Sequence, residues 1–140
     1  MPDISDRKPG GQGYVRNDIL RLSSIERPIW LYSTLDDLRQ ASSEVKATMG
    51  GAIRTALQGG MSDDAKPMKG NLRNVHEVRA RDRDGIYRLM YAANIGGRLY
   101  VLDYFQKKGT SGGATPNVDL KRVLQRYKKA KADYEAESQT

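Results

Sequence analysis

Two periods of hydrophobic and polar positions divide the 140-residue chain. Between residues 34 and 58 the apolar positions Leu35, Leu38, Ala41, Val45, Met49, Ile53, Ala56 and Leu57 recur every three or four residues. That spacing predicts an amphipathic helix or helical hairpin. Thr34 is the expected cap, with Asp37 three residues on, and Gly50-Gly51 is the expected break, at roughly 1 kcal/mol of helix propensity per glycine. Gly59-Gly60 ends the helical segment. From residue 72 the period drops to two. Three strands are predicted at about 72–81, 85–94 and 98–106, joined by turns at Arg83-Asp84-Gly85 and Ile95-Gly96-Gly97. The helical period then returns. Thr115-Pro116 reads as a cap followed by proline at the first helical position. Leu120, Val123, Leu124, Tyr127, Ala130 and Tyr134 form one face of a helix running to about 135.

Outside these blocks the pattern is weaker. Residues 26–33, ERPIWLYS, predict a short strand in which Trp30 anchors the core. Residues 61–70 and 109–114 read as loops, and 136–140 as a fraying tail. Residues 1–24 show little periodicity and carry Gly10, Gly11 and Gly13, so they are expected to be an extension, partly disordered. The predicted order is β, α(α), β, β, β, α. It gives an α+β domain, a small antiparallel meander with helices packed on one face.

Composition changes this picture in two ways. The chain has no cysteine and one histidine, His76, so disulfides and Cys/His zinc sites are excluded and no metal or cofactor is expected. No apolar run has membrane-spanning length, and residues 1–13 carry no signal-peptide core, so a cytoplasmic protein is expected. The net charge is +7 and is unevenly placed: residues 1–65 hold 8 Lys/Arg against 9 Asp/Glu, and residues 66–140 hold 16 against 8. A basic second half favours a polyanionic partner, nucleic acid first among them.

The strand parity locates the candidate chemistry. Glu77, Arg79 and Arg81 share one face, and Val78 and Ala80 the other. Three unpaired charges make a poor core, so the charged face is expected to be open. Tyr87, Leu89 and Tyr91 pack inward in the next strand, which puts Arg88 on that open face. His76 has the parity of the core positions and is expected to be structural. Lys107-Lys108 ends the last strand, and Lys66 and Lys69 precede the first. Such a cluster suits RNA cleavage by the adjacent 2′-hydroxyl, which needs a proton acceptor, cations at the transition state and a proton for the leaving oxygen. Arginine binds two phosphate oxygens with its planar fork. The expected catalytic set is Arg79, Arg88, Lys107, Lys108 and Glu77, with Lys66, Lys69, Arg73, Arg81 and Arg122 binding RNA.

The motifs K-P-M-K-G, H-E-V-R, G-I-Y-R-L-M-Y and L-D-Y-F-Q-K-K, followed by a Thr-Pro helix and preceded by L-Q-G-G, stand in series over residues 27–131. In this the chain resembles the HigB-like, phage-derived branch of the RelE/ParE toxin superfamily. The resemblance implies a compact toxin domain over residues 25–135 that cleaves mRNA without a metal, on the translating ribosome. It also implies a cognate helix-turn-helix antitoxin. By the same resemblance Arg88 matches the arginine that stabilises the transition state, and Lys107-Lys108 the basic position that assists the leaving group. Arg79, Lys66 and Lys69 match backbone-binding positions. RelE itself places a tyrosine after the last strand. The segment GTSGGATPNVDL has none, which leaves Tyr104 and Glu77 as substitutes and the general base unassigned. Two alternatives keep the same fold: a ParE-like toxin acting on a protein such as DNA gyrase, and an inactive member that only binds its antitoxin. The basic cluster favours the nuclease.

Overall fold

The computed structural model describes residues 27–107 and 113–139. The expected N-terminal extension, Lys108 and residues 109–112 lie outside the described residues. The elements in chain order are β1 (Ile29–Trp30), α1 (Thr34–Arg39), α2 (Ser43–Leu57), β2 (Ala65–Pro67), a 3-10 turn (Gly70–Leu72), β3 (Val75–Asp82), β4 (Gly85–Ile95), β5 (Arg98–Lys107) and α3 (Asn117–Ser138). This is the expected α+β class with one added strand. β3, β4 and β5 form the antiparallel meander. β1 lies parallel to β5 at one edge, and β2 pairs antiparallel with β3 at the other. β2 falls inside the segment expected to be a loop. Its Pro67 sits on the sheet edge, where a missing amide costs no ladder bond.

The helices do not share one face. Val45, Met49, Ala52, Ile53 and Ala56 of α2 pack on Val78, Ala80, Leu89, Tyr91 and Val101. Val123, Tyr127 and Ala130 of α3 pack on Val75, Met90, Ala92, Tyr100 and Leu102, which belong to the other face. The reason is in the two central strands. Residues 89–92 and 99–102 are apolar at both parities, and a cover on one side alone would leave the second apolar face in water, at about 25 cal/mol per Å². The parity of β5 shifts within the strand. Tyr91 pairs with Val101 but Met90 with Asp103, so Leu102 is a bulge residue, and both Leu102 and Asp103 turn toward α3.

The helical break is not at the glycine pair. α2 runs through Gly50-Gly51, and the chain turns instead at Gln40–Ser42. There the Ser42 hydroxyl accepts from the Val45 amide at 3.3 Å, an N-cap. The apolar stripe buried on either side of the glycines outweighs their propensity cost. Thr34 is inside the first turn of α1, its hydroxyl donating to the Leu31 carbonyl at 2.7 Å, while Ser33 occupies the cap position. Trp30 is half-buried against the α2-side core, as expected. At the other end of the fold, Gly96 has φ +60°, and a Cβ there would lie 2.0 Å from the Tyr134 ring. Glycine therefore lets the β4–β5 turn meet the last turns of α3. No described helix is long and apolar enough to cross a membrane.

Candidate nucleic-acid interface

α3 covers only part of its face of the sheet. Beyond its first turn that face presents Glu77, Arg79, Arg88 and Phe105, with Arg79 opposite Arg88 and Arg88 opposite Phe105 in the strand register. The parity expected from the sequence holds, but the exposure does not. Glu77 is 1% exposed and Arg88 is fully buried. Desolvating the two charges is tolerable because they pair with each other and make further hydrogen bonds with neighbouring groups. Arg88 Nη1 donates to Glu77 Oε2 at 2.9 Å. The Thr115 hydroxyl bridges them, donating to the same carboxylate oxygen and accepting from the same guanidinium nitrogen. Arg88 Nη2 donates to the Gly113 carbonyl. Residues 113–115 thus form a strap over the pair.

The other carboxylate oxygen faces outward. Glu77 Oε1 accepts from Arg79 Nε at 2.9 Å and stands 3.8 Å from the Lys66 ammonium. The β2–β3 register, with Lys66 opposite Glu77, places that lysine there. One buried carboxylate therefore holds three cations. Burial alone would raise its pKa; the hydrogen bonds from Thr115 and Arg79 and the charges of Arg88 and Arg79 outweigh it and lower the value. Above the pair opens a cavity of about 300 Å³, lined by Lys66, Met68, Lys69, Leu72, Glu77, Arg79, Thr115 and Leu120. It is a basin with an apolar flank and a cationic rim. Three lining cations against one neutralised carboxylate give it a positive field that attracts phosphate.

A second carboxylate cluster lies beside it on the same face. Asp103 accepts from Arg122 Nε at 2.6 Å and from Arg126 Nη1 at 3.1 Å, and Arg122 also donates to Asp119 at 2.7 Å. Arg122 further stacks over Phe105, 5.1 Å from the ring centroid.

A family model described as phage-derived protein Gp49-like (DUF891) matches residues 36–128. That span holds every residue of the basin and both carboxylate clusters. The chain belongs to the Gp49-like family. It is a RelE/HigB-like, toxin-type family. Neither a curated protein nor a solved structure matches the chain.

Within this Gp49-like protein the expected site residues divide. Glu77, Arg79, Arg88, Lys66 and Lys69 come together at the basin. Lys107 stands opposite Ile86, two residue pairs along the sheet from Arg88 and Phe105. Arg81 is exposed at the end of β3. Arg73 lines a separate groove. Arg122 is engaged by Asp103 and Asp119 and joins α3 to β5. Tyr104 is on the other face of the sheet. It stacks on Tyr87 at 6.1 Å, and burial, with the neighbouring Tyr87 and acidic groups, pushes its hydroxyl up to about 12. His76 stacks on Tyr91 at 5.0 Å, its pKa lowered by burial, as suits a structural residue.

Thr115, Asp103 and Arg126 are partners of these residues that the sequence does not announce. Thr115 reads as a helix cap, yet α3 begins at Asn117 with Pro116 before it, and the threonine hydroxyl serves Glu77 instead. An aspartate in the apolar run of β5 was the available signal for Asp103. Its partners Arg122 and Arg126 stand four apart, on one helix face.

Proposed function

We propose that this Gp49-like protein is the toxin of a toxin–antitoxin pair and acts as an endoribonuclease on mRNA at the translating ribosome. The observation that carries the reading is the basin itself. Lys66, Lys69 and Arg79 converge on one cavity, and Arg79 is oriented by a carboxylate that Arg88 and Thr115 hold from behind. In the proposed reaction the 2′-oxygen of one nucleotide attacks the adjacent phosphorus. The O2′–P bond forms, the P–O5′ bond breaks, and the products are a 2′,3′-cyclic phosphate and a 5′-hydroxyl. The 2′-hydroxyl proton leaves to an acceptor and a proton reaches O5′. The chain's cations stabilise the charge that builds on the non-bridging oxygens. In this reading Arg79, Lys66 and Lys69 bind the phosphate, with Lys107 near it. Glu77 has a lowered pKa and both oxygens engaged, so it acts as the anchor of the arginines rather than as a base. Arg88, fully buried, is a positioning residue in this arrangement. The cognate antitoxin is proposed to be a helix-turn-helix protein.

The test is brief induction in a bacterial host followed by mapping of RNA 5′ ends. The expected result is new ends inside reading frames, absent with Arg79→Ala or with Lys66→Ala/Lys69→Ala at equal protein level. Growth arrest with intact mRNA and a DNA-damage response would instead establish a protein target such as gyrase. Absence of both effects would leave an antitoxin-binding member without activity.

A further inference from the structure

α3 carries Lys121, Arg122, Arg126, Lys128, Lys129 and Lys131, and the structure sorts them. Arg122 and Arg126 are bound to Asp103, and Lys129 pairs with Asp133 at 3.4 Å. Lys128 and Lys131, three residues apart and both exposed, face a groove of about 350 Å³ between α3 and residues 71–74. Arg73 stands on the opposite wall with Asn71 and Asn74. Asn74 Nδ2 donates to the Tyr127 hydroxyl at 3.3 Å, which braces the floor, and the Lys131 ammonium lies 4.5 Å from the Tyr127 ring centroid. Three cations and two amides line this groove and no carboxylate does. Among the described residues neither Arg73 nor Lys128 makes an ion pair.

The groove and the basin are neighbours on the same side of the sheet, lined by adjacent residues of one turn and one helix. The 3-10 turn Gly70–Leu72 separates them, with Lys69 on the basin side and Arg73 on the groove side. On α3 the basin is bordered by Leu120 and the groove by Leu124, about 6 Å apart along the helix axis at 1.5 Å per residue. A strand leaving the basin past this turn would meet the groove's cations next.

We infer that this groove is a second binding site for the sugar–phosphate backbone of the same single-stranded RNA, extending the track beyond the point of cleavage. The inference rests on the endoribonuclease reading. The lysines and Arg73 meet phosphates, and the asparagine amides meet sugar hydroxyls or phosphate oxygens. Such contacts fix register and direction without reading sequence. The opposing walls come from residues 71–74 and from α3.

The test uses the purified full chain and 2′-O-methyl RNA, which cannot be cleaved by its own 2′-oxygen, in lengths of about 4 and about 12 nucleotides. Wild type should bind the longer strand more tightly. Lys128→Ala/Lys131→Ala should abolish that gain and reduce the salt slope of long-strand binding by ~1.4, at ~0.7 for each phosphate no longer neutralised. Lys128→Glu, which leaves the Lys131–Tyr127 contact in place, should do the same in part. If both variants keep the wild-type gain and slope while Lys66→Ala/Lys69→Ala weakens both strands, the groove is not on the RNA path although the nuclease reading stands. If Lys66→Ala/Lys69→Ala also leaves RNA binding unchanged, the nuclease reading itself fails. If the groove variants weaken capture of the antitoxin and not of RNA, the groove serves an acidic protein segment and the inference is overturned.

Discussion

The two buried carboxylates on the α3 face of the sheet, Glu77 and Asp103, are used in opposite ways. Glu77 gathers Lys66, Arg79 and Arg88, so its cluster keeps a surplus of positive charge at the mouth of a cavity. Asp103, with Asp119, meets Arg122 and Arg126, two charges against two, and nothing is left over for a ligand. The first cluster is covered by a strap of three residues, Gly113–Thr115. The second is covered by a helix whose arginines it holds. Arginines near one another on a basic face are therefore not equivalent. Each has to be assigned by what its guanidinium already holds.

The contrast can be broken at the Glu77 side first. Arg88→Ala leaves a fully buried carboxylate without its main counter-charge, and we expect a loss of about 3–5 kcal/mol in denaturant unfolding. The same substitution therefore cannot serve as a clean activity probe, and Arg79→Ala takes that place. Asp103→Asn should cost less, about 2 kcal/mol, because Arg122 and Arg126 keep 34% and 22% of their side-chain exposure and stay solvated. A Glu77-side loss no larger than the Asp103-side loss would erase the distinction. Thr115→Val should cost about 1 kcal/mol and lower RNA cleavage by loosening Arg79 through Glu77, with Thr115→Ser restoring both. Cleavage unaffected by Thr115→Val would remove the strap from the positioning path.

The smallest effect is in pH. Glu77 has a folded pKa below its ordinary value of 4.5. Its contribution is therefore fully present above that value and is lost as pH falls through the lower folded value. Unfolding free energy followed from neutral pH into the acid range should fall below about pH 4.5, with a shallower fall in Glu77→Gln. An identical acid slope in the variant would detach the lowered pKa from the cluster.

Much of this was legible along the chain. The meander, its two glycine turns, the parity of Glu77, Arg79, Arg81 and Arg88, and the structural place of His76 follow from a period of two and from turn chemistry. The burial of Glu77 and Arg88 does not, because the partners that make it tolerable come from distant positions: 11 residues separate the pair and 38 separate Glu77 from Thr115. Judged by local cost alone, those charges are unpaired and belong in solvent. The same blindness hides β2. Three residues in a polar loop become a strand only because the edge of β3 offers unpaired amides and carbonyls. The helical break is misplaced for a related reason. Two adjacent glycines carry a visible propensity cost, whereas the cap at Ser42 is one ordinary serine with a well-placed oxygen.

The contact between Gly96 and Tyr134 bears on how precisely the basin and groove can be spaced. α3 rests on the sheet through an apolar stripe, and apolar surfaces set depth more strictly than axial position. The hairpin tip supplies the missing stop. With the Tyr134 ring seated against a backbone that has no side chain, and Arg98 lying 5.3 Å from that ring's centroid, the helix is indexed along its own axis like a key against its shoulder. Any residue larger than glycine at position 96 would push the ring away and let the helix slip. Leu120, Leu124, Lys128 and Lys131 would then travel together, and both wells on their side of the sheet would change shape at once, from a substitution far from either.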